Sequence, residues 1–405
     1  MSFRIALSGL NAASSDLSVT ANNIANTATT GFKTSRAEFA ELFAVSPQGV
    51  SSTAAGSGVR VADVSQQFTQ GNVDFTNNNL DLAVSGDGFF ILSDGGALAY
   101  TRAGAFKTDA NGFVVNNEGQ KLQVFPPTAA GGFNTGALTD LKLVTSASAP
   151  KATANVNLEM NLQSDATPPV NATFDPADTN SFNNATSLTV YDSLGAAHTA
   201  TMYFVKTSTT NQWNTRLYID GNAVGIPQTL AYSNSGTLTT PAGGSLTFPA
   251  YTPATGAADI ALTLDIANST QYGSAFGVTS VTQDGFTTGR LIGVDIDSSG
   301  IAQARFTNGR SVALGQVALA NFSNAQGLQQ LDNTAWAETF VSGQALKGQA
   351  GTSGFGVVQS GALEASNVDI TAQLVNMITA QRDFQANAQM ISTEDSITQT
   401  IINIR

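Results

Sequence analysis

Large apolar residues recur with heptad spacing at both ends of the chain, whereas the sequence between them alternates like short strands. The residues at heptad positions are Phe3, Leu7, Leu10, Leu17 and Ile24 near the N-terminus, and Ile370, Leu374, Met377, Phe384, Ile391 and Ile402 near the C-terminus. This spacing predicts amphipathic helices that pair in a coiled coil. Each stripe can be buried only against the other end of the chain or against another molecule. We therefore predict that these residues form a polymerisation interface, and that the ends become ordered only when partners are present.

The long middle of the chain has the pattern of strands and turns. Residues 80–84 and 89–92 are apolar runs that flank the turn-forming residues 85–88. Stretches of small residues mark boundaries at 46–58 and 146–150. We predict a mainly β protein with terminal α-helices, in which an outer β domain is inserted into an inner one. The predicted boundaries are 1–30 and 362–405 for the terminal helical coiled-coil domain, 31–70 for a linker segment, 71–147 and 288–361 for the inner β domain, and 148–287 for the outer inserted β domain.

Composition narrows the classes of function. Only 11% of the 405 residues are charged, and the net charge is -12 with a pI near 4.4. The absence of a basic cluster argues against nucleic-acid binding. The chain has no cysteine, which excludes disulfides and zinc–thiolate sites. No stretch approaches the roughly 20 apolar residues of a membrane span. Residues 1–10 lack the apolar core of a secretory signal peptide, so export would use another route.

No group of residues predicts an enzyme, a cofactor site or a metal site. The single histidine, His198, lies in a strand-like run without an evident acid or nucleophile partner, which favours a packed or surface residue over a general base. Residues 295–300 match the opening of a calcium loop, but the twelfth position is Phe306 where bidentate ligation needs Glu. A hairpin turn is therefore the favoured interpretation of that segment.

Two motifs stand at opposite ends of the chain. The N-terminal motif comprises residues 8–10, 12–13, 22–26 and 30–33, and the C-terminal motif comprises residues 361–364, 366–369, 377–378, 381–382, 384 and 386–387. Together they resemble the paired signatures of the axial proteins of the bacterial flagellum, a family of rod, hook and hook-associated proteins. The resemblance implies that a signature loop is formed by Asn22, Asn23, Asn26, Thr30, Gly31 and Phe32. No departure from the family pattern stands out in these segments.

The middle of the chain resembles the outer domain of the hook members of this family, a region that rod members lack. Residues 174–176, 188–195 and 203–206 carry this resemblance. It implies a structural subunit that polymerises into a curved tube and transmits torque from rod to filament as a universal joint, without enzymatic activity or a cofactor. The alternatives are a distal rod structural protein and a secreted carbohydrate-binding adhesin.

The resemblance also implies partners and a location. The expected partners are other copies of the chain, the flagellar rod and hook–filament junction proteins, the hook cap during assembly and the flagellar export apparatus. Neither nucleic acid nor membrane insertion is expected. The expected location is extracellular, in the hook of the bacterial flagellum, reached without a cleaved signal peptide.

Overall fold

The computed structural model describes residues 2–42, 56–129, 131–143 and 147–403 of the chain. Within these residues two long helices, α1 (Ser2–Ala25) and α2 (Ile370–Asn403), flank a chain that otherwise consists mostly of strands. The predicted fold class, mainly β with an α-helix at each end, is confirmed. Both helices are shorter than the predicted helical segments, because residues 26–30 and 362–369 are not helical.

The first strands follow α1. They are β1 (Ser35–Glu41), β2 (Val59–Gln66), β3 (Val73–Phe75), β4 (Leu82–Ser85), β5 (Phe89–Asp94), β6 (Ala97–Thr101), β7 (Lys107–Thr108), β8 (Val114–Val115), β9 (Lys121–Phe125) and β10 (Thr139–Asp140). The antiparallel hairpin β1–β2 lies inside residues 31–70 and corrects the predicted linker. The linker prediction was wrong because the segments on either side of the stretch rich in small residues, β1 and β2, pair with each other. Residues 43–55 of that prediction lie outside the described residues.

The central strands form the second part of the chain. They are β11 (Asn155–Gln163), β12 (Asn184–Tyr191), β13 (Ala197–Lys206), β14 (Gln212–Ile219), β15 (Asn222–Tyr232), β16 (Leu238–Thr240), β17 (Ser245–Thr247), β18 (Thr263–Asp265), β19 (Thr270–Tyr272) and β20 (Gly277–Gln283). The last strands are β21 (Leu291–Ile296), β22 (Ile301–Phe306), β23 (Ser311–Asn321), β24 (Gln329–Gln330), β25 (Ala335–Ala337), β26 (Leu346–Gln349), β27 (Val357–Ser360) and β28 (Ala362–Glu364).

The chain divides into two compact units. Unit 1 comprises residues 1–145, 293–305 and 311–405, and unit 2 comprises residues 146–292 and 306–310. Each unit has its own hydrophobic core. The predicted outer domain, residues 148–287, falls within unit 2.

Unit 1 is built around a sheet to which both halves of the chain contribute. In this sheet β23 pairs with β5 and β9, whereas β27 with β4 and β28 with β3 form two separate two-stranded sheets. One side of the sheet buries a cluster that includes Phe90, Leu122 and Leu319, and a second cluster includes Tyr100 and Trp336. Because β28 belongs to this pairing, residues 362–364 are part of the β structure and not of the predicted helical domain.

Unit 2 contains two sheets that share one core. β12 to β16 form an antiparallel meander, and β11 lies between parallel partners, β18 and β19, and the antiparallel partner β20. Leu158, Phe204 and Trp213 are among the fully buried residues of the shared core. The chain enters and leaves the unit side by side, since the backbone N–H of Ser148 donates to the carbonyl of Gly289 at 2.7 Å.

Candidate functional site

The two helices pair through a face of small residues on α1. Ala6, Ala13 and Thr20 are buried at heptad spacing. Gly9 approaches α2 so closely that an added Cβ would lie 2.4 Å from Oδ1 of Asn387. Small side chains allow two helix backbones to approach closely, so this face determines how α1 and α2 meet within a single chain.

The predicted polymerisation residues lie beside or away from this contact. Leu10, Leu17, Ile24, Met377, Phe384 and Ile391 are half-buried, whereas Phe3, Leu7, Ile370, Leu374 and Ile402 are exposed. None of them is fully buried within the single chain. The heptad pattern predicted both helices, but the buried stripe of α1 is the neighbouring row of small residues. The further prediction, that the ends become ordered only with partners, stays a prediction.

Further exposed apolar residues on α2 were not singled out from the sequence. They are Val375, Ile378, Met390, Ile397 and Ile401. The available signal was that large apolar residues lie side by side in the sequence, as Leu374 with Val375 and Met377 with Ile378, and therefore point to more than one face of the helix. The helix pair therefore exposes large apolar side chains to its surroundings.

The first asparagines of the predicted signature loop terminate α1. The Asn26 side-chain Nδ2 donates to Oδ1 of Asn22 at 2.6 Å, and the Thr29 hydroxyl donates to Oδ1 of Asn26 at 3.0 Å. Asn23 is buried and joins three elements. Its Oδ1 accepts from the backbone N–H of Ser35, and its Nδ2 donates to the carbonyl of Ser35 at 2.7 Å and to Oε1 of Gln373 at 3.2 Å. Asn23 thereby links α1, β1 and α2.

The second half of the signature loop lies against the β structure. Gly31 adopts φ +69°, and an added Cβ would lie 2.5 Å from the backbone nitrogen of Ala103. Its N–H donates to the carbonyl of Glu364 at 2.8 Å. Phe32 is buried, and the half-buried Thr30 accepts a long, 3.5 Å hydrogen bond from the Thr334 hydroxyl. The close backbone approach and the left-handed conformation together require glycine at position 31.

Lys33, Arg102 and Glu364 form a buried charged group, here called the junction cluster. Lys33 Nζ donates to Oε1 of Glu364 at 2.6 Å, and Arg102 Nη1 donates to Oε2 at 3.4 Å. The side chains of Lys33 and Glu364 are 0% exposed. Burial lowers the pKa of Lys33 and of Arg102, and the neighbouring carboxylate opposes this shift. No pattern in the sequence indicates this cluster, apart from the presence of Lys33 and Glu364 in the two end motifs.

Asn367 completes the connection between the cluster and α2. Its Oδ1 accepts from the backbone N–H and the hydroxyl of Thr34, at 2.8 and 2.7 Å. Its Nδ2 donates to the carbonyl of Gln67 at 2.8 Å and to the hydroxyl of Thr69 at 2.9 Å. The segments that follow α1 and precede α2 are therefore held together by side-chain hydrogen bonds.

His198 in unit 2 has acidic partners that its sequence neighbourhood did not suggest. Its Nδ1 lies 2.5 Å from Oδ2 of Asp220, and its Nε2 lies 3.3 Å from Oδ2 of Asp192, which also accepts from the Thr255 hydroxyl. These partners correct the expectation of an unpartnered histidine, because strand pairing brings two turns to it. Burial alone would lower the pKa of His198, but the hydrogen bonds that its ring donates to both carboxylates outweigh burial and raise the pKa.

Other candidate chemistry is structural. Asp297 accepts hydrogen bonds from the backbone N–H groups of Ser299 and Ile301 in the turn between β21 and β22, as the hairpin interpretation predicts. Among the described residues, no group of three or more His, Cys, Asp or Glu side chains is arranged to hold a metal ion. No helix in the described part of the chain has the length and hydropathy to cross a membrane.

Models of four protein families match successive parts of the chain. Residues 3–33 match the flagella basal body rod protein, and residues 83–167 match the flagellar hook protein FlgE/F/G D1 domain. Residues 157–286 match the flagellar basal body protein FlaE D2 domain, and residues 359–404 match the flagellar basal body rod FlgEFG protein C-terminal region.

Two relatives that align along nearly the whole chain are both described as flagellar hook proteins. The chain is 40% identical over 415 residues to the flagellar hook protein FlgE of Escherichia coli (strain K12), with 100% of both chains covered. It is 34% identical to that of Rhizobium meliloti, with 99% of this chain and 98% of the relative covered. The crystal structure of Helicobacter pylori flagellar hook protein FlgE2 matches with a TM-score of 0.55 at 14% identity, covering 72% of this chain and 100% of that chain, and so agrees in fold.

These matches favour neither of the two alternatives, the distal rod protein and the carbohydrate-binding adhesin. The relatives that span the whole chain are hook proteins, and the match to the D2 domain covers the segment that rod members were expected to lack. The chain therefore belongs to the family of flagellar hook proteins, which are structural subunits and not enzymes.

Proposed function

We propose that this chain polymerises into a curved hook tube that acts as a universal joint, in which exposed apolar residues of the helix pair pack against neighbouring copies. The observation that carries the proposal is the exposure of Phe3, Leu7, Leu374 and Ile378 in a single subunit. Exposed apolar surface of this extent marks an interaction site. The helix pairs of neighbouring subunits would line the central channel.

The free energy available from these side chains is of the size that assembly requires. Burying one large apolar side chain contributes about 1.5–3 kcal/mol, so four contribute about 6–12 kcal/mol. This is comparable to the cost of the rotational and translational freedom lost on association, which is roughly 4–15 kcal/mol. The helix pair carries few charges, so little charge needs to be desolvated when neighbours approach.

The remaining partners follow from the place of a hook between rod and filament. We expect the ends of the tube to contact the flagellar rod and the hook–filament junction proteins. We also expect the growing end to carry a cap, and the subunit to leave the cell through the flagellar export apparatus without a cleaved signal peptide. No contact with nucleic acid and no insertion into a membrane is part of this proposal.

The test compares tube formation by the purified full-length wild type with tube formation by variants that lack exposed apolar side chains. The double variant Leu374→Ser and Ile378→Ser removes two exposed side chains of α2. Ile226→Ser, at an exposed apolar position in unit 2, is the matched control. We expect the wild type and I226S to form curved tubes in electron micrographs after salt-induced polymerisation.

The double variant should need at least about tenfold more protein to form tubes, because each tenfold corresponds to about 1.4 kcal/mol. Tubes from the double variant at the wild-type concentration would contradict the proposed interface. A second hook protein that forms tubes under the same conditions serves as the positive control. If the wild type stays monomeric where that control polymerises, the proposal that this chain polymerises is wrong.

A further inference from the structure

Glu364 lies where both connections to the helix pair meet the β structure of unit 1. One carboxylate oxygen, Oε1, accepts from Lys33 Nζ at 2.6 Å and from the backbone N–H of Gly71 at 2.9 Å. The other, Oε2, accepts from Arg102 Nη1 at 3.4 Å. Three separate segments of the chain therefore donate hydrogen bonds to one carboxylate.

These three segments are far apart in sequence. Glu364 is separated from Lys33 by 331 positions, from Gly71 by 293 and from Arg102 by 262. Lys33 follows α1, and Glu364 ends β28, shortly before α2 begins. The contact between them consequently forms only after both ends of the chain have reached the sheet of unit 1.

Because the junction cluster is buried, its charged groups are stable only when they remain paired. A buried charge is tolerated only when it is paired and hydrogen-bonded, and removal of one partner leaves the other uncompensated. Lys33 also donates to the carbonyl of Thr69 at 2.8 Å, so its ammonium is held between the segment before β3 and Glu364 at the end of β28. Alternative arrangements of the two connections would leave a buried charge without its partner and are disfavoured for that reason.

We propose that Glu364 is a positioning residue for assembly, whose carboxylate fixes both helix connections to the sheet of unit 1. The subunit then presents α1 and α2 to its neighbours in one orientation. Asn23 and Asn367 add neutral hydrogen bonds around the same connections. The role in assembly rests on the proposed function, whereas the anchoring is a property of a single subunit and is tested separately.

The first experiment measures how readily the Lys33 amine of the full-length monomer reacts with an acetylating reagent, by mass spectrometry. Lys107 and Lys347 are exposed lysines of the same unit and serve as internal references. In the wild type, Lys33 should react at least about tenfold more slowly than Lys107, because reaction requires local opening of a buried site. In Glu364→Gln, the Lys33 reaction rate should rise towards that of Lys107.

The matched control is Glu38→Gln, which removes the exposed ion pair between Arg36 and Glu38 a few residues away. It should leave the reaction rate of Lys33 unchanged. Equal reactivity of Lys33 and Lys107 in the wild type would overturn the proposal, as would a Lys33 that stays protected in E364Q.

A second measurement covers the case in which E364Q does not fold. Amide hydrogen exchange of the wild-type peptides that contain Gly31 and Gly71, both donors to Glu364, should be as slow as exchange in β5. Fast exchange at these two positions beside a protected β5 would show that the connections are not anchored, and would overturn the proposal without any variant.

The role in assembly has its own readout. If E364Q keeps the far-ultraviolet circular dichroism of the wild type, the concentration needed for tube formation should still rise at least about tenfold, and E38Q should assemble normally. Assembly of E364Q at the wild-type concentration, with Lys33 exposed, would overturn the positioning role and leave the proposed polymerisation intact. Failure of the wild type to polymerise would instead count against the proposed function.

Discussion

Gly31 shows how one residue connects the end of α1 to the sheet of unit 1. Its φ of +69° and the 2.5 Å that would separate an added Cβ from the backbone nitrogen of Ala103 impose two separate demands. The first is conformational and applies to any non-glycine residue in the left-handed region. The second is steric, because a Cβ would meet backbone that has no room to move.

We predict that Gly31→Ala destabilises unit 1 more than Gly119→Ala does. Gly119 has φ +85° but nothing within 4 Å of its added Cβ, so G119A isolates the conformational cost of about 1 kcal/mol. G31A adds the steric term and should cost at least about 2 kcal/mol. The free energy of opening is measured by amide hydrogen exchange in β5. Equal values for the two variants would show that the contact with Ala103 relaxes without cost.

His198 makes the stability of unit 2 depend on pH, and the sign of this dependence can be predicted. Both of its carboxylate partners only accept hydrogen bonds, so the doubly protonated imidazolium satisfies both contacts. We predict a pKa above the usual value of 6.5. The contribution of protonated His198 to the stability of unit 2 is then fully present below pH 6.5. It is lost as the pH rises through the pKa that His198 has in the folded state.

The measurement is a titration of the imidazole signal by nuclear magnetic resonance, in which His198 gives a single resonance because the chain has one histidine. Asp220→Asn removes the nearer carboxylate and should lower the pKa. The protection factors of the β13 amides, which are corrected for the intrinsic pH dependence of exchange, should fall as the pH rises through the pKa of the wild type. A wild-type pKa at or below 6.5 would contradict the arrangement.

The two helices illustrate what a sequence pattern can and cannot reveal about an element. Heptad spacing identified α1 and α2, because a helix repeats nearly every seven residues. It did not identify the buried face of α1, since Ala6 and Ala13 stand out less than Phe3 and Leu7 although they are more deeply buried. The signature motifs included Asn23 and Gly31, but the contacts of Glu364 with Lys33 and Arg102 depend on tertiary pairing that spacing does not encode.

Enlarging the small face of α1 should separate the helices without preventing either from forming. We predict that Ala13→Leu destabilises the α1–α2 contact by about 1–3 kcal/mol through overpacking, because Ala13 is buried. Ala25→Leu, at an exposed position of the same helix, should change it by less than about 0.5 kcal/mol. Amide exchange of α2 in polymerised samples of the wild type and both variants measures the effect. Slow exchange of α2 in A13L would show that the small face does not determine the pairing.

Unit 2 has the features of an insertion that can be removed. It has its own core, and the hydrogen bond between Ser148 and Gly289 brings its two ends together. The order of strand-like segments and small-residue stretches predicts an inserted domain, whereas the pairing of its two ends is visible only in the structure. A segment with adjacent ends can be replaced by a short linker without stretching the remaining chain.

We predict that replacing residues 148–287 with a short Gly/Ser linker leaves a chain that still assembles, because the helix pair and the sheet of unit 1 are retained. The resulting tubes should be straight, since contacts between the removed segments of neighbouring subunits would no longer bias the tube towards a bend. Electron microscopy of the polymerised variant is the measurement. Complete loss of assembly would show that unit 2 contributes contacts that the tube requires.

The interleaving of early and late strands in unit 1 has a consequence for biosynthesis. β3, β4, β5 and β9 obtain partners from β23, β27 and β28, so a nascent chain that stops before residue 311 has an unfinished sheet. Such non-local pairing folds slowly, because distant segments must meet before any contact rewards them. The β structure of unit 1 can therefore be completed only after the last quarter of the chain has been synthesised.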